Sequence, residues 1–195
     1  MADMGHHTFD ADGAERLEDE SRYAYLSVDE LLGALDPGAD DPVADLGSGT
    51  GFYTRSIAPH VGRILAVDLQ PTMHAAFGEY GVPANVHRVT ATIGAVPVRT
   101  DALAGAYSTM TYHEFASDAA LAELGRLLEN DGRIVIADWS ASGAGDRGPP
   151  LSERYDAETV GRHFEDHGFD VDRVADRRET LVVAARNAAE PTRQS

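Results

Sequence analysis

Three glycines on alternate positions, Gly47, Gly49 and Gly51, follow a short apolar run in VADLGSGTG, with Asp45 two residues ahead of the first. Glycine admits backbone conformations closed to other residues and lets main chain touch a ligand or a neighbouring element. The spacing G-x-G-x-G differs from the G-x-G-x-x-G that cradles a pyrophosphate at a helix N-terminus. A carboxylate at residue 45 would repel a pyrophosphate and favour an ammonium group. A second acid, Asp68, ends the next apolar run in AVDL, placed to accept hydrogen bonds from both hydroxyls of a ribose. The ligand these residues describe has an amine and a ribose and lacks phosphate.

Acid–base chemistry is available further along, in YHEF, where His113 and Glu114 follow an apolar segment. Histidine titrates near neutrality, so His113 could take a proton from a hydroxyl or amine. Glu114 could orient that histidine or bind a cationic acceptor. The residues leave a second reading open, in which His113 caps a strand end and Glu114 is a solvated loop charge. His6 and His7 form another cluster near the N-terminus. A metal site needs more ligands than the chain gathers there, so none is predicted. That segment is instead expected to fold over the ligand crevice as a lid, bringing His7 near the acceptor.

These side chains need elements to hold them. SVDELLGAL reads as a helix with Ser27 as N-cap and Glu30 three residues later, the spacing of a capping box. PVADLG is a short buried strand followed by a helix from about Phe52. GRILAVDL, NVHRVTAT, AGAYSTMTYHEF and RIVIADW supply further strands, the third of these running out into a loop. PTMHAAFGEYG and SDAALAELGRLLENDG are helices between them, the second closed by Gly132. DAETVGRHFEDHG is a helix from Asp156 to a stop at Gly168, and FDVDRVADRRETLVVAARN a hairpin. Alternating strands and helices imply a doubly wound α/β fold: a mostly parallel seven-stranded sheet, helices on both faces, and a C-terminal antiparallel hairpin. In such sheets the ligand crevice lies beyond the carboxyl ends of the strands, and VADLGSGTG stands there. Residues 1–26 are expected as an N-terminal lid segment, 27–187 as the domain and 188–195 as a disordered tail.

Composition narrows the partners. The chain has 195 residues, enough for one well-cored domain, and no cysteine, which excludes disulfides, thiolate metal sites and Cys nucleophiles. Thirty-three acids against sixteen bases, all of them Arg, leave a net charge of −17. Such a field repels nucleic acid and anionic membranes. Excess carboxylate without Lys is the habit of proteins from salt-loving organisms, where high ionic strength screens the self-repulsion. The N-terminus lacks the apolar core of a secretion signal and no run is long enough to span a bilayer, so a cytoplasmic protein is expected.

S-adenosylmethionine has the amine, the ribose and the lack of phosphate that Asp45, the glycines and Asp68 describe. At these same residues the chain resembles the class I S-adenosylmethionine-dependent methyltransferases. VADLGSGTG looks like their first motif, AVDLQPTM their second, YSTMTYHEF the fourth-strand segment and LLENDGRIVIADW the turn into the fifth strand. The likeness runs from about Phe9 to Ala185 and is strongest to small stand-alone members that begin HHTFD-like and carry a DW…GPP…R stretch, here DWSASGAGDRGPPLSER. The resemblance implies that Asp45 and Gly47 lie against the methionine portion, with Ser48, Gly49 and Gly51 completing the loop. It implies that Asp68 holds the ribose, that Leu69 packs beside the adenine and that Met110 sits near the sulfonium. Where family members often carry an acid for the adenine amine, this chain has Thr92. Arg154 of GPPLSER could face a substrate anion or pair with a surface carboxylate, and Tyr23 and Tyr25 could line an aromatic wall or pack against the body.

The expected activity is methyl transfer from S-adenosylmethionine to a small-molecule acceptor by in-line displacement. A cofactor-binding or partner-binding module without catalysis is the alternative. A nicotinamide oxidoreductase would need the third glycine one place later, and a Tyr-x-x-x-Lys pair is impossible without Lys. The sequence specifies neither the acceptor nor the oligomeric state.

Overall fold

Val43, Ala44, Asp45 and Leu46 are all buried, as in a strand covered on both faces. A computed structural model describes residues 11–188 of the chain, and its sheet is built outward from that strand. β1 (Pro42–Leu46) pairs in parallel with β2 (Arg63–Asp68) on one side and β4 (Leu103–Thr109) on the other. β3 (Val86–Thr90) lies beyond β2, and β5 (Leu128–Trp139) beyond β4. β7 (Thr180–Asn187) runs antiparallel between β5 and the edge strand β6 (Phe169–Asp176), giving the order β3-β2-β1-β4-β5-β7-β6. The order reverses between β1 and β4, which opens a crevice at their carboxyl ends.

Helices cover both faces. α1 (Val28–Leu35), α2 (Phe52–Ile57) and α3 (Pro71–Tyr80) pack Leu31, Ile57 and Phe77 with Val43, Ile64 and Tyr107 of the sheet. On the other face α5 (Asp118–Leu127) and α6 (Ala157–Asp166) pack Leu121, Leu124 and Phe164 with Leu46, Val67 and Ile136. Ser27, Ser117 and Asp156 cap α1, α5 and α6 by accepting N–H bonds from Glu30, Ala120 and Thr159. The capping box at α1 is half formed. The Glu30 carboxylate pairs with Arg173 and Arg177, each at 3.1 Å, and ties α1 to the C-terminal hairpin.

Two elements differ from the sequence expectation. The chain does not run from β4 into a loop: Met110 takes a left-handed conformation (φ 59°), and Tyr112–Phe115 forms a helical turn, α4. The buried Tyr112 ring, packed among Phe115, Tyr155 and Phe164, holds this turn in place. α5 also ends at Leu127 rather than at Gly132. Leu128 is fully buried and already pairs with Leu103 as the first residue of β5, and Asp131 (φ 61°) lies in the stretch where the pairing with β4 is interrupted before it resumes at Arg133.

Ahead of α1, Ala11–Glu18 and Glu20–Ala24 are 3-10 helices. His7 and residues 189–195 of the expected tail lie outside the described residues. Among the described residues no helix is long and apolar enough to cross a membrane.

A Cβ on Gly51 (φ 78°), at the start of α2, would come within 2.3 Å of the Phe77 ring. Gly51→Ala is therefore expected to destabilise the protein by about 2–4 kcal/mol through overpacking and left-handed strain. Gly33, inside α1 with nothing within 4 Å of its Cβ position, is expected to gain about 0.5–1 kcal/mol on substitution by Ala. Urea unfolding of the two variants checks both signs.

Candidate active site

Polar groups concentrate where β1, β2, β4 and β5 end, around a cleft of about 1050 Å³. The glycine loop after β1 is clamped across to β2: Gly47 and Ser48 donate their N–H groups to the Val67 carbonyl at 2.8 and 2.9 Å. Gly49 donates to Asp68 Oδ2 at 2.8 Å, and Gln70 donates its N–H to Asp68 Oδ1 at 2.8 Å. Two backbone donors thus fix the Asp68 carboxylate at the cleft wall, and each oxygen keeps a lone pair for a further donor. The absent side chain at Gly47 makes room for Thr111, whose methyl would lie 2.4 Å from a Cβ there. Gly49 lies against Leu17 of the N-terminal segment, whose Cδ1 would be 3.3 Å from a Cβ there.

Asp45 sits deeper. Its Oδ2 accepts from Thr54 Oγ1 at 2.5 Å, while Oδ1 makes no hydrogen bond of normal geometry, although the Tyr107 hydroxyl, likewise without one, lies near enough to act on the carboxylate. Burial pushes its pKa up to about 7, helped by the charge of Asp68 and opposed by Thr54, Tyr107 and Arg22. The buried Ser48 hydroxyl also lacks a partner. Two orphaned polar groups on one cleft wall are what a polar ligand would satisfy, because leaving them bare costs stability.

On the opposite wall His113 Nδ1 lies 2.9 Å from Asp138 Oδ2 and 3.1 Å from Oδ1, and the His113 backbone N–H donates to the same Oδ2 at 2.8 Å. This carboxylate fixes the proton on Nδ1 and leaves Nε2 as the acceptor. Glu114 Oε1 stands 3.9 Å from Nε2. Burial opposes charging the ring, but the Asp138 hydrogen bond and charge, with Glu114 and Glu153, outweigh it, so the His113 pKa is raised.

Asp45, Gly47, Ser48, Gly49, Asp68 and Met110 line the cleft together with His113 and Glu114. Leu69, 54% exposed, and the exposed Thr92 stand at its rim. Gly51 does not line it; its role is the approach of α2 to Phe77. Arg154 faces neither a substrate nor a surface acid. It is buried over the Trp139 ring and donates to the carbonyls of Pro149 (2.8 Å), Ser140 (3.3 Å) and Arg147, so it holds the loop that presents residues 147–149 to the cleft. Tyr23 packs on Phe52 and bonds Ser56, whereas Tyr25 packs on Trp139 at the cleft wall. Among the described residues no group of three or more His, Asp or Glu could hold a metal.

Sequence reasoning passed over Asp138, Trp139 and Arg22, all at or beside the cleft. Asp138 carries the same mark as Asp45 and Asp68, an acid ending an apolar strand, in IVIADW. Arg22 carries no such mark.

Residues 44–136 match a family model described as a methyltransferase domain. The fold is similar to a SAM-dependent methyltransferase from Aquifex aeolicus, at 27% identity and a TM-score of 0.84, over 93% of this chain and 100% of that one. It is also similar to a methyltransferase from Haloferax volcanii solved with the activator Trm112 (16% identity, TM-score 0.76, 92% and 97% of the chains). A third likeness is to the [4+2]-cyclase SpnF (16%, TM-score 0.76, 87% and 82%). No curated protein matches the chain by sequence.

Two titrations test this electrostatic picture. Asp138→Asn removes the largest of the influences that raise the His113 pKa, leaving Glu114, Glu153 and the burial that lowers it, so the ring should titrate at lower pH in the variant, as followed by NMR. Asp45 holds its proton more tightly folded than unfolded, where the value is near 3.8. Its contribution to stability is complete below that value and is lost as pH rises through about 7. The stability difference between wild type and Asp45→Asn in urea should therefore fall over that window and then level off.

Proposed function

We infer that the chain is a class I S-adenosylmethionine-dependent methyltransferase, a reading supported by the methyltransferase-domain match and the likeness to the Aquifex aeolicus enzyme, and that its acceptor is a small protic molecule deprotonated by His113. The observation that carries this reading is the His113–Asp138 pair, half-buried on the cleft wall opposite Asp45 and Asp68. A histidine whose Nδ1–H is held by a carboxylate presents a basic Nε2 to whatever lies in the cleft.

Bound S-adenosylmethionine supplies a methyl group on a positively charged sulfonium, an already activated leaving group. The residues present fit its other parts. Asp45, with Oδ1 unpartnered, takes the ammonium group; Asp68, steadied by Gly49 and Gln70, accepts from the ribose hydroxyls. Leu69 and Thr92 at the rim border the adenine, and Met110 stands on the His113 side of the loop, toward the sulfonium. These assignments leave the protein three tasks: aligning the acceptor, excluding water and removing one proton.

The acceptor lies against the wall formed by Tyr25, Phe115, Trp139 and Pro149, which favours a flat apolar body carrying a hydroxyl or amine at the His113 end. Glu114 and Glu153 line the same region and repel anionic acceptors. The net charge of −17 further disfavours nucleic acid. The N-terminal segment contributes Leu17, Asp19 and Tyr25 to the cleft, in keeping with a cover over the site.

A non-catalytic binding module would keep the cofactor half and lose turnover, and His113 separates the two cases. His113→Ala is expected to lower kcat about 10²–10⁴-fold on an acceptor found by screening with labelled cofactor, while calorimetric affinity for S-adenosylhomocysteine stays within a factor of two. The wild-type rate should rise with pH through a midpoint above 6.5, because only the neutral ring accepts a proton. Equal rates in the two proteins would remove His113 from the chemistry.

A further inference from the structure

Glu153 closes the 3-10 turn Leu151–Glu153 that follows the two prolines of GPPLSER. Its N–H donates to the Pro150 carbonyl at 2.9 Å. The next residue, Arg154, is buried and holds the carbonyls of Pro149, Ser140 and Arg147. The turn is therefore fixed on both sides of Glu153. The Glu153 side chain itself lines the cleft, exposed, and makes no hydrogen bond or ion pair among the described residues.

Its charge acts on the His113 ring, together with those of Asp138 at 2.9 Å from Nδ1 and Glu114 at 3.9 Å from Nε2. The charges that act most strongly on this base are thus all carboxylates. Among the described residues Nε2 makes no hydrogen bond, so its lone pair is open to a ligand in the cleft. The two cations of the same loop are engaged elsewhere. Arg154 commits its donors to backbone carbonyls, and the exposed Arg147 acts on Asp19 of the N-terminal segment. Tyr25 and Trp139, with ring centroids 5.0 Å apart, and Phe115 line the same part of the cleft. Aromatic rings attract cations and have no such attraction for anions.

The direction of charge movement separates hydroxyl from amine acceptors. Taking a proton from a hydroxyl creates an oxyanion, a new negative charge among carboxylates in a site that must exclude water. Taking it from an ammonium group creates no new charge. The positive charge passes to His113, where Asp138, Glu114 and Glu153 stabilise it, and a neutral amine is left. The nitrogen lone pair then forms the N–C bond while the C–S bond breaks, its electron pair staying on sulfur. The positive charge returns to nitrogen, and His113 releases its proton to water. We propose that the acceptor is an amine on a flat apolar body, bound as its ammonium ion, and that Glu153 selects for that charge. This rests on the proposed methyl transfer with His113 as base, and narrows its acceptor from protic molecules in general to amines.

Trp139 is the only tryptophan of the chain, so its indole N–H gives a single NMR signal from the cleft wall. Protein saturated with S-adenosylhomocysteine is titrated near neutral pH, at one salt concentration, with three probes of one skeleton. These are benzylamine, an ammonium ion under these conditions, benzyl alcohol and benzoate. The amine is expected to shift the signal at roughly 10-fold lower concentration than the alcohol, and benzoate to leave it in place. Glu153→Gln is expected to weaken the amine about 3- to 10-fold, the scale of an exposed ion pair, while the alcohol and S-adenosylhomocysteine stay within about twofold. An alcohol or benzoate that binds as tightly as the amine, an amine that leaves the signal in place, or a variant that weakens amine and alcohol alike would overturn the assignment. Wild-type protein that fails to bind S-adenosylhomocysteine would instead overturn the proposed methyl transfer.

Discussion

Gly47 and Thr111 come from the ends of two adjacent strands and meet where no side chain fits between them. That contact, with the matching one between Gly51 and Phe77, determines how far the loop after β1 can sink into the fold. Backbone amides of the loop then reach Val67 and Asp68 across the strand boundary. The polar groups on the β1 and β2 side of the cleft are referred to this clamp. It holds Asp68 at the wall, leaves Asp45 below it, and sets the entrance of α2, whose Phe52 and Tyr53 carry the N-terminal segment.

The charges in the cleft are held at a cost that packing elsewhere offsets. Asp45 is buried with one oxygen bare, and burial brings its titration to about neutrality. The His113–Asp138 pair is the opposite case, since the ring's hydrogen bond to Asp138 and the charges of Asp138, Glu114 and Glu153 stabilise the protonated ring against burial. The sheet beneath them is apolar on both faces, with Leu46, Val67 and Ile136 on one and Val43, Ile64 and Val135 on the other buried almost completely. Such a floor excludes water from below and gives the few polar groups above it a low-dielectric setting, where charge interactions gain strength.

How far this could be read from the sequence depended on distance along the chain. Asp45, the glycines and Asp68 were legible because each marks the end of a strand within a few residues of its own apolar run. The strand and helix order was legible for the same reason. His113 was visible as a residue, but its conformation and its role were not. The turn that carries it depends on Tyr112 packing against Phe164, and its partner Asp138 lies 25 residues on. Arg154 looked like an anion receptor because residue type and loop position say nothing about which way a long side chain folds. It turned inward, onto Trp139 and three carbonyls. The end of α5 was placed late because Gly132 reads locally as a helix stop. The burial of Leu128 against β4 decided otherwise.

The buried Arg154 gives the two halves of the cleft unequal freedom to vary. The half beside β1 and β2 is one continuous mesh of main-chain bonds, in which a change at one residue disturbs its neighbours. The half beyond β5 is a surface loop gathered by a single side chain through backbone carbonyls, which every amino acid possesses. Residues along that loop other than Gly143, Gly145 and Gly148, which sit against Glu179, Leu151 and Trp139, can therefore be exchanged without breaking those bonds. A scaffold so divided can drift toward new acceptors by a few surface mutations while its older chemistry stays put.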